Sequence, residues 1–160
     1  MDKAAYNVTR EPDADNRKER IEVMAVMDEK QRRMKYDRLS YAWPETGPLR
    51  RELYPKHMAF FAMGATKRIR AIFGANRSGK SESAAYELAC HLTGRYPSWW
   101  VGKRFTRPIR AWAASNTLVT TREALQRKLV GPKNDTGSGF VPQADIKQIA
   151  AGAHDAIDFA

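Results

Sequence analysis

The N-terminal part of the chain has apolar residues at helical spacing within a densely charged stretch. Asp13 or Asp15 can cap a helix that ends near Arg38. We expect this helix to pack across the core through its apolar side, which comprises Ile21, Met24, Met27 and Met34. Residues 1–13 lack such a pattern, and we expect them to be disordered. Tyr41 to Pro48 is interrupted by proline and glycine and is typical of a linker.

The next part of the chain changes between helix and strand patterns. Pro55 favours the first turn of a short helix that ends at Gly64. Lys67 to Phe73 alternates charged and apolar residues, which predicts a strand. Residues 80–93 repeat apolar residues at i, i+3, i+4 and i+7, which predicts an amphipathic helix that Gly94 ends.

A second strand is predicted at Ile109 to Ala114. Thr120 and Glu123 have capping-box spacing for a helix through Leu129, which glycine and proline then end. Residues 134–144 read as a polar loop, and residues 153–160 as the start of another strand. The order strand, loop, helix, strand, helix predicts an α/β fold, a parallel sheet flanked by helices with right-handed crossovers.

Composition narrows the class of protein. With 42% hydrophobic residues in 160, the chain can bury a core. Its one cysteine, Cys90, excludes an internal disulfide framework and indicates a reducing cytoplasm, where we expect it to be a core residue. The three histidines lack the spacing of a zinc site. We see no signal peptide, and the longest apolar run, Met58 to Ala65, is too short for a membrane span.

Charge is distributed unevenly along the chain. The net charge is +10, and residues 51–135 contain 16 basic and 5 acidic residues. Such a surface favours polyanions, which include nucleotides and nucleic acids. A solvated basic face without a partner is the alternative.

Within this basic part, Gly74 to Ser81 fits the pattern G-x-x-x-x-G-K-[ST]. Glycine lets the backbone wrap closely around phosphates, and the following helix directs its unpaired N–H groups toward them. Lys80 would reach the β- and γ-phosphates of ATP, and the Ser81 hydroxyl would hold Mg²⁺. The predicted nucleotide-binding residues are Gly74, Ala75, Asn76, Arg77, Ser78, Gly79, Lys80 and Ser81. A glycine-rich turn with only a structural role is the alternative.

Lys80 and Arg77 are the candidate catalytic residues. Arg77 would lie against the γ-phosphate and stabilise its charge during transfer, or it points to solvent or pairs with a carboxylate. Hydrolysis also needs an acidic pair after a strand, and no run of four apolar residues precedes Asp or Glu here. We therefore expect the front portion of a longer ATPase, truncated before that pair. A complete small-molecule kinase with differently placed acids is the other possibility.

Aromatic and cationic residues alternate between Arg95 and Arg110. Trp99, Trp100 and Phe105 could stack on DNA bases while neighbouring cations contact phosphates. Paired tryptophans beside a proline are more often a packed corner, and we favour packing for these aromatics.

Three segments together resemble the large terminase subunit of tailed bacteriophages: GANRSGKSE, TGRYPSWWVGKRF and TTREALQRKLVGP. The segment before the loop, YPKHMAFFAMGATKRIRAIF, is also similar, so the resemblance covers roughly residues 50–160. It implies a helicase-like, additional-strand P-loop NTPase in which Gly74, Gly79, Lys80 and Ser81 bind the nucleotide. Many members have an arginine four residues before the lysine, but that position is Asn76 here, so the resemblance does not assign this role to Arg77.

The resemblance also implies partners and a setting. They are double-stranded DNA, the portal protein and the small terminase subunit, around a ring-forming homo-oligomer in the cytoplasm of a bacterial host, with no membrane. We predict a helical arm and linker over residues 1–48 and the front part of the ATPase domain over residues 49–160. The acidic pair and nuclease carboxylates of the family have no counterpart, so we expect this chain alone neither to cut DNA nor to hydrolyse ATP efficiently. A nonenzymatic DNA-binding remnant is a further alternative.

Overall fold

The computed structural model describes residues 12–150 and 156–159, and about half of these residues are helical. The chain divides into two compact units, one that ends at Arg33 and one that begins at Met34. The longest helix is α1, Pro12–Tyr36, which agrees with the predicted helix at its C-terminal end. Asp13 and Asp15 lie inside α1 and therefore do not cap it. Of the segment predicted to be disordered, Pro12 and Asp13 are helical, and residues 1–11 lie outside the described residues.

The apolar side of α1 is exposed. Ile21 is 59% exposed, Met24 62% and Met27 55%. These residues belong to the first unit, so the expectation that this side packs across the core stays a prediction. Charged residues are spread along the helix, and Glu29 pairs with Arg32 at 2.8 Å and with Arg33 at 2.7 Å. Ion pairs between residues three and four apart stabilise a helix even where its surface is exposed.

The second unit begins with short helical elements. The elements in this part are α2 (Arg38–Tyr41), a 3₁₀ turn (Arg51–Leu53), α3 (Pro55–Met63) and α4 (Lys80–Thr93). Helices α3 and α4 occupy the places that the sequence predicted, and Gly94 ends α4 with a φ of 69°.

A later helical segment differs from its prediction at the start. It comprises α5 (Leu118–Thr120), a π-helical stretch (Thr121–Gln126) and α6 (Arg127–Val130). The hydroxyl of Thr117 accepts the Thr120 amide at 3.1 Å, and Thr120 makes no capping bond itself. Thr117 is therefore the cap, and the predicted capping box is wrong. Gly131 ends the segment with a φ of 93°.

The predicted parallel sheet of a helicase-like P-loop NTPase is not found. In the described residues the only strands are β1 (Ile146–Ala150) and β2 (Ala156–Phe159), which pair antiparallel. Ile149 lies opposite Ile157, and the register shifts between Ile146 and Gln148. β2 coincides with the last predicted strand, whose first residues, 153–155, lie outside the described residues.

Neither of the two strands on which the parallel sheet depended forms. Residues 67–73 and 109–114 contain no strand, and their largest exposed side chains are apolar: Ile69 is 92% exposed, Phe73 89% and Trp112 97%. Alternation along the chain is a local signal, whereas a strand is stabilised by a neighbouring backbone and by burial of one face. Within the described residues neither segment pairs with another strand, and each leaves large apolar side chains exposed.

The core of the second unit surrounds α4. Tyr86, Ala89 and Cys90 on this helix are completely buried, and Phe61 of α3 packs against Trp100 with ring centroids 5.1 Å apart. The predicted polar loop contributes as well, because Phe140 and Val141 donate backbone hydrogen bonds to α6 and are buried. The core also contains Leu39, Phe60, Ala85, Leu129 and Val130. Packing around α4 therefore fixes the helix that follows the phosphate-loop pattern.

Helix length and polarity bear on membrane insertion. None of the helices in the described part of the chain is long and apolar enough to cross a bilayer.

Candidate phosphate-binding site

The segment Gly74–Ser81 forms a tight turn that leads directly into α4. Arg77 and Gly79 both have left-handed backbone conformations, with φ values of 63° and 81°. Gly79 is the N-terminal cap residue of α4 and makes no side-chain capping bond, so the cap is purely a backbone conformation. Successive turns of this kind direct main-chain N–H groups toward a common point, which is the geometry of an anion site.

The side chain of Lys80 reaches back over this turn. Its ammonium group donates to the carbonyl oxygens of Gly74 at 2.8 Å and Ala75 at 2.7 Å, and lies 3.4 Å from the Ser78 hydroxyl. Gly74 leaves room for the Ser78 side chain, because a Cβ there would lie 2.8 Å from the Ser78 oxygen. The ammonium thus lies above the same loop as the backbone amides.

The first turn of α4 presents unpaired amides beside this ammonium. The first backbone bond that α4 makes to its cap runs from the Ser83 amide to the Gly79 carbonyl, at 2.9 Å. Within the described residues, the amides of Gly79, Lys80, Ser81 and Glu82 donate no hydrogen bond to a backbone carbonyl. Unpaired amides and the positive end of the helix dipole both favour an anion here.

The acidic residue of the first turn is engaged elsewhere. Glu82 pairs with Arg38 of α2 and, at 2.6 Å, with the ammonium of Lys128 in α6. In the same open cleft Lys35 lies 2.7 Å from Asp135, and hydrogen bonding from Lys35 holds the pKa of the Asp135 carboxyl below its ordinary value. The Glu82 charge is therefore compensated by two cations.

The other predicted site residues are accessible. Ala75, Asn76, Ser78 and Ser81 are exposed. Arg77 is exposed too, and it forms no ion pair with any carboxylate in the described residues. Of the three placements considered for Arg77, pairing with a carboxylate is therefore not observed in the described residues.

Two residues that the sequence analysis did not assign to the loop lie behind it. Ser83 is completely buried, and its hydroxyl lies 2.5 Å from Nδ1 of His57 in α3. The hydroxyl also donates to the Gly79 carbonyl at 3.2 Å. Ser83 could have been found by its helical spacing from Gly79, but His57 is 26 residues earlier in the chain and has no local signal.

The aromatic residues near Arg95 pack as expected. Trp100 is 4% exposed and belongs to the core, and Trp99 packs against it. Arg104 lies over the Tyr96 ring at 5.4 Å and donates to the carbonyls of Pro97 and Trp100. Packing, rather than base stacking, thus accounts for the two tryptophans.

Cys90 is also a core residue, as predicted. Burial raises the pKa of its thiol to about 12, so it stays protonated at neutral pH.

Possible metal ligands are sparse. Among the described residues there is no group of three or more His, Cys, Asp or Glu side chains that could hold a metal ion. The exposed Ser81 hydroxyl at the start of α4 still fits Mg²⁺, because Mg²⁺ typically takes one or two protein ligands together with phosphate oxygens and water.

Comparison with known proteins shows a similarity to a phage terminase subunit. No protein-family model matches the chain, and no solved structure matches it. The chain is 34% identical over 108 residues to the terminase large subunit of Salmonella phage P22. That match takes in 58% of this chain and 22% of the relative, so the chain spans a small part of the relative's length. The similarity supports a terminase-like relationship over that part.

Proposed function

We propose that Gly74–Ser81 binds the phosphates of ATP together with Mg²⁺. One observation carries the proposal: the Lys80 ammonium, bonded to the Gly74 and Ala75 carbonyls, lies over a loop beside the unpaired first-turn amides of α4. A triphosphate supplies acceptors for all of these donors at once.

In this proposal each residue has a defined role. Gly74 and Gly79 allow the close wrap, and the unpaired amides of residues 79–81 bind phosphate oxygens. Lys80 exchanges its carbonyl partners for the β- and γ-phosphates, and Ser81 holds Mg²⁺, which neutralises phosphate charge. Arg77 is free of carboxylate partners in the described residues and is available to the γ-phosphate.

We further propose that this nucleotide site belongs to a viral DNA-packaging motor. The similarity to the phage P22 terminase large subunit supports it, as does the excess of basic residues over residues 51–135. The proposed partners are double-stranded DNA, the portal protein, the small terminase subunit and further copies in a ring. The setting is the cytoplasm of an infected bacterium.

Lys80→Ala tests the nucleotide site directly. We expect the 160-residue chain to bind a fluorescent ATP analogue in the presence of Mg²⁺, and Lys80→Ala to weaken binding at least about tenfold, because it removes a charge-assisted bond. Lys67→Ala is the matched control, since Lys67 is an exposed lysine outside the loop. A folded wild-type chain that binds no analogue, or equal losses in both variants, refutes the proposal.

The same samples separate the motor proposal from its rivals. A packaging component transfers phosphate to no small molecule, so turnover of a phosphoryl acceptor would indicate a kinase instead. Salt-sensitive DNA binding that is unchanged by nucleotide and by Lys80→Ala would indicate a DNA-binding protein without a nucleotide-dependent role.

A further inference from the structure

One buried hydroxyl connects His57 to the phosphate loop. The Ser83 oxygen lies 2.5 Å from Nδ1 of His57 and 3.2 Å from the carbonyl oxygen of Gly79. The same carbonyl accepts the Ser83 amide at 2.9 Å. Two bonds from one residue thus direct the Gly79 carbonyl along α4.

The orientation of this carbonyl determines where the next amide points. No cis peptide occurs in the described chain, so the peptide between Gly79 and Lys80 is trans and planar. In such a unit C=O and N–H point in opposite directions. A carbonyl held toward α4 therefore directs the Lys80 amide away from the helix and toward the loop.

His57 is itself held in place from two sides. Its ring packs against Trp43 and Tyr54, with centroids 5.4 and 5.9 Å away. A Cβ on Gly79 would lie 3.4 Å from Cε1 and 3.6 Å from Nε2 of His57, so the edge of the ring lies against the left-handed turn. The histidine thus contacts both Ser83 and the backbone that Ser83 orients.

We propose that His57 is a positioning residue of the phosphate loop. It holds the Ser83 hydroxyl, which fixes the Gly79 carbonyl and aims the Lys80 amide at the bound phosphate. The proposal rests on the proposed nucleotide site for the identity of the ligand, and His57 acts without contacting it.

The proposal predicts which ring nitrogen of His57 carries hydrogen in the free protein. The Ser83 hydroxyl has a single proton, which it donates to the Gly79 carbonyl. In the proposed arrangement its oxygen then accepts a hydrogen bond from His57, which requires hydrogen on Nδ1. An asparagine amide can donate from nearly the same place, whereas phenylalanine keeps the ring but has no donor.

The first experiment examines the 160-residue chain without nucleotide. Ring ¹⁵N NMR is tractable because the chain has only three histidines, and His57→Asn identifies the signal of His57. We expect the Nδ1–H tautomer, and a changed His57 signal in Ser83→Ala. We also expect Ser83→Ala and His57→Phe to shift the Lys80 amide resonance. An Nε2–H tautomer, or a His57 signal that Ser83→Ala leaves unchanged, overturns the proposal.

The second experiment measures affinity for the fluorescent ATP analogue with Mg²⁺. We expect His57→Phe to bind about tenfold more weakly and His57→Asn to recover most of that loss. Thermal unfolding of both variants checks that they remain folded. Equal affinities in the Phe and Asn variants overturn the positioning role.

The two experiments keep separate failures apart. If the folded wild-type chain binds no nucleotide, the proposed function fails, and the free-protein spectra alone decide whether His57 positions the Lys80 amide.

Discussion

Gly79 meets two steric requirements at one residue. Its φ of 81° is a conformation that residues with a side chain disfavour. The position that a Cβ would occupy also lies against the His57 ring. The spacing of glycine and lysine predicts this turn, because the turn needs a positive φ that glycine readily adopts. The left-handed Arg77 could not be anticipated, since arginine carries no such preference, and the contact with His57 depends on tertiary packing.

Replacing Gly79 and Gly94 by alanine separates strain from function. Both have left-handed φ values, 81° and 69°, so each substitution should cost about 1 kcal/mol of unfolding free energy. Gly94 has open space around it and lies at the far end of α4. Only Gly79→Ala should therefore weaken binding of the fluorescent ATP analogue, by about tenfold. Urea unfolding should report similar losses of stability in both variants.

Gly94→Ala is the control for this comparison. If it weakens nucleotide binding as much as Gly79→Ala does, the effect comes from general destabilisation, and the loop has no special part in it.

Helices and strands differ in how much of their stability is local. α4 begins and ends where the sequence predicted, because glycines bound it and its apolar residues recur at helical spacing. The segment 109–114 has a strand-like composition but no neighbouring backbone in the described residues, so the local pattern misleads. In α1 the sequence shows which side of the helix is apolar. It does not show that this side is exposed, because ion pairs along the helix stabilise α1 in water without burial.

Acid titration of α1 tests that explanation. Hydrogen bonds from Arg32 and then Arg33 lower the pKa of Glu29 from 4.5 to about 2. A lowered pKa in the folded state means that the stabilisation is complete above pH 4.5 and is lost as pH falls through about 2. The side-chain carboxyl ¹³C signal of Glu29 should titrate near pH 2 at low salt and closer to 4.5 in 1 M salt.

Substitution shows whether this titration belongs to the ion pairs. Glu29→Gln should remove the loss of helical circular dichroism below pH 4.5, whereas Glu22→Gln, elsewhere on α1, should keep it. A Glu29 carboxyl that titrates near its ordinary value at low salt would mean that the pairs do not form in solution.

At the scale of the whole molecule, burial is concentrated around α4. Aromatic residues of α3, α4 and the segment after Gly94 form this core, whereas Ile69, Phe73 and Trp112 lie outside it. The sequence correctly predicted that the tryptophans near Arg95 pack. It could not show which apolar segments stay exposed, since that depends on how much surface the rest of the chain covers.

Two tryptophans make this difference measurable. Trp112 is 97% exposed, so Trp112→Lys should change the unfolding free energy by less than about 0.5 kcal/mol. Trp100 is 4% exposed and donates its indole N–H to the Lys103 carbonyl at 3.0 Å. Trp100→Leu should therefore cost about 3 kcal/mol through a cavity and an unpaired carbonyl. Urea unfolding of both variants against the wild type measures the contrast.

The result for Trp112 bears on the fold itself. A strand inside a parallel sheet is covered on both faces, so a lysine at position 112 would then be buried and as damaging as the change at Trp100. If the Trp112 side chain is exposed, Trp112→Lys should leave the unfolding free energy nearly unchanged. Acrylamide should also quench the remaining tryptophan fluorescence less than in the wild type, because the most accessible tryptophan has been removed. A large loss of stability would instead mean that residues 109–114 are covered in solution.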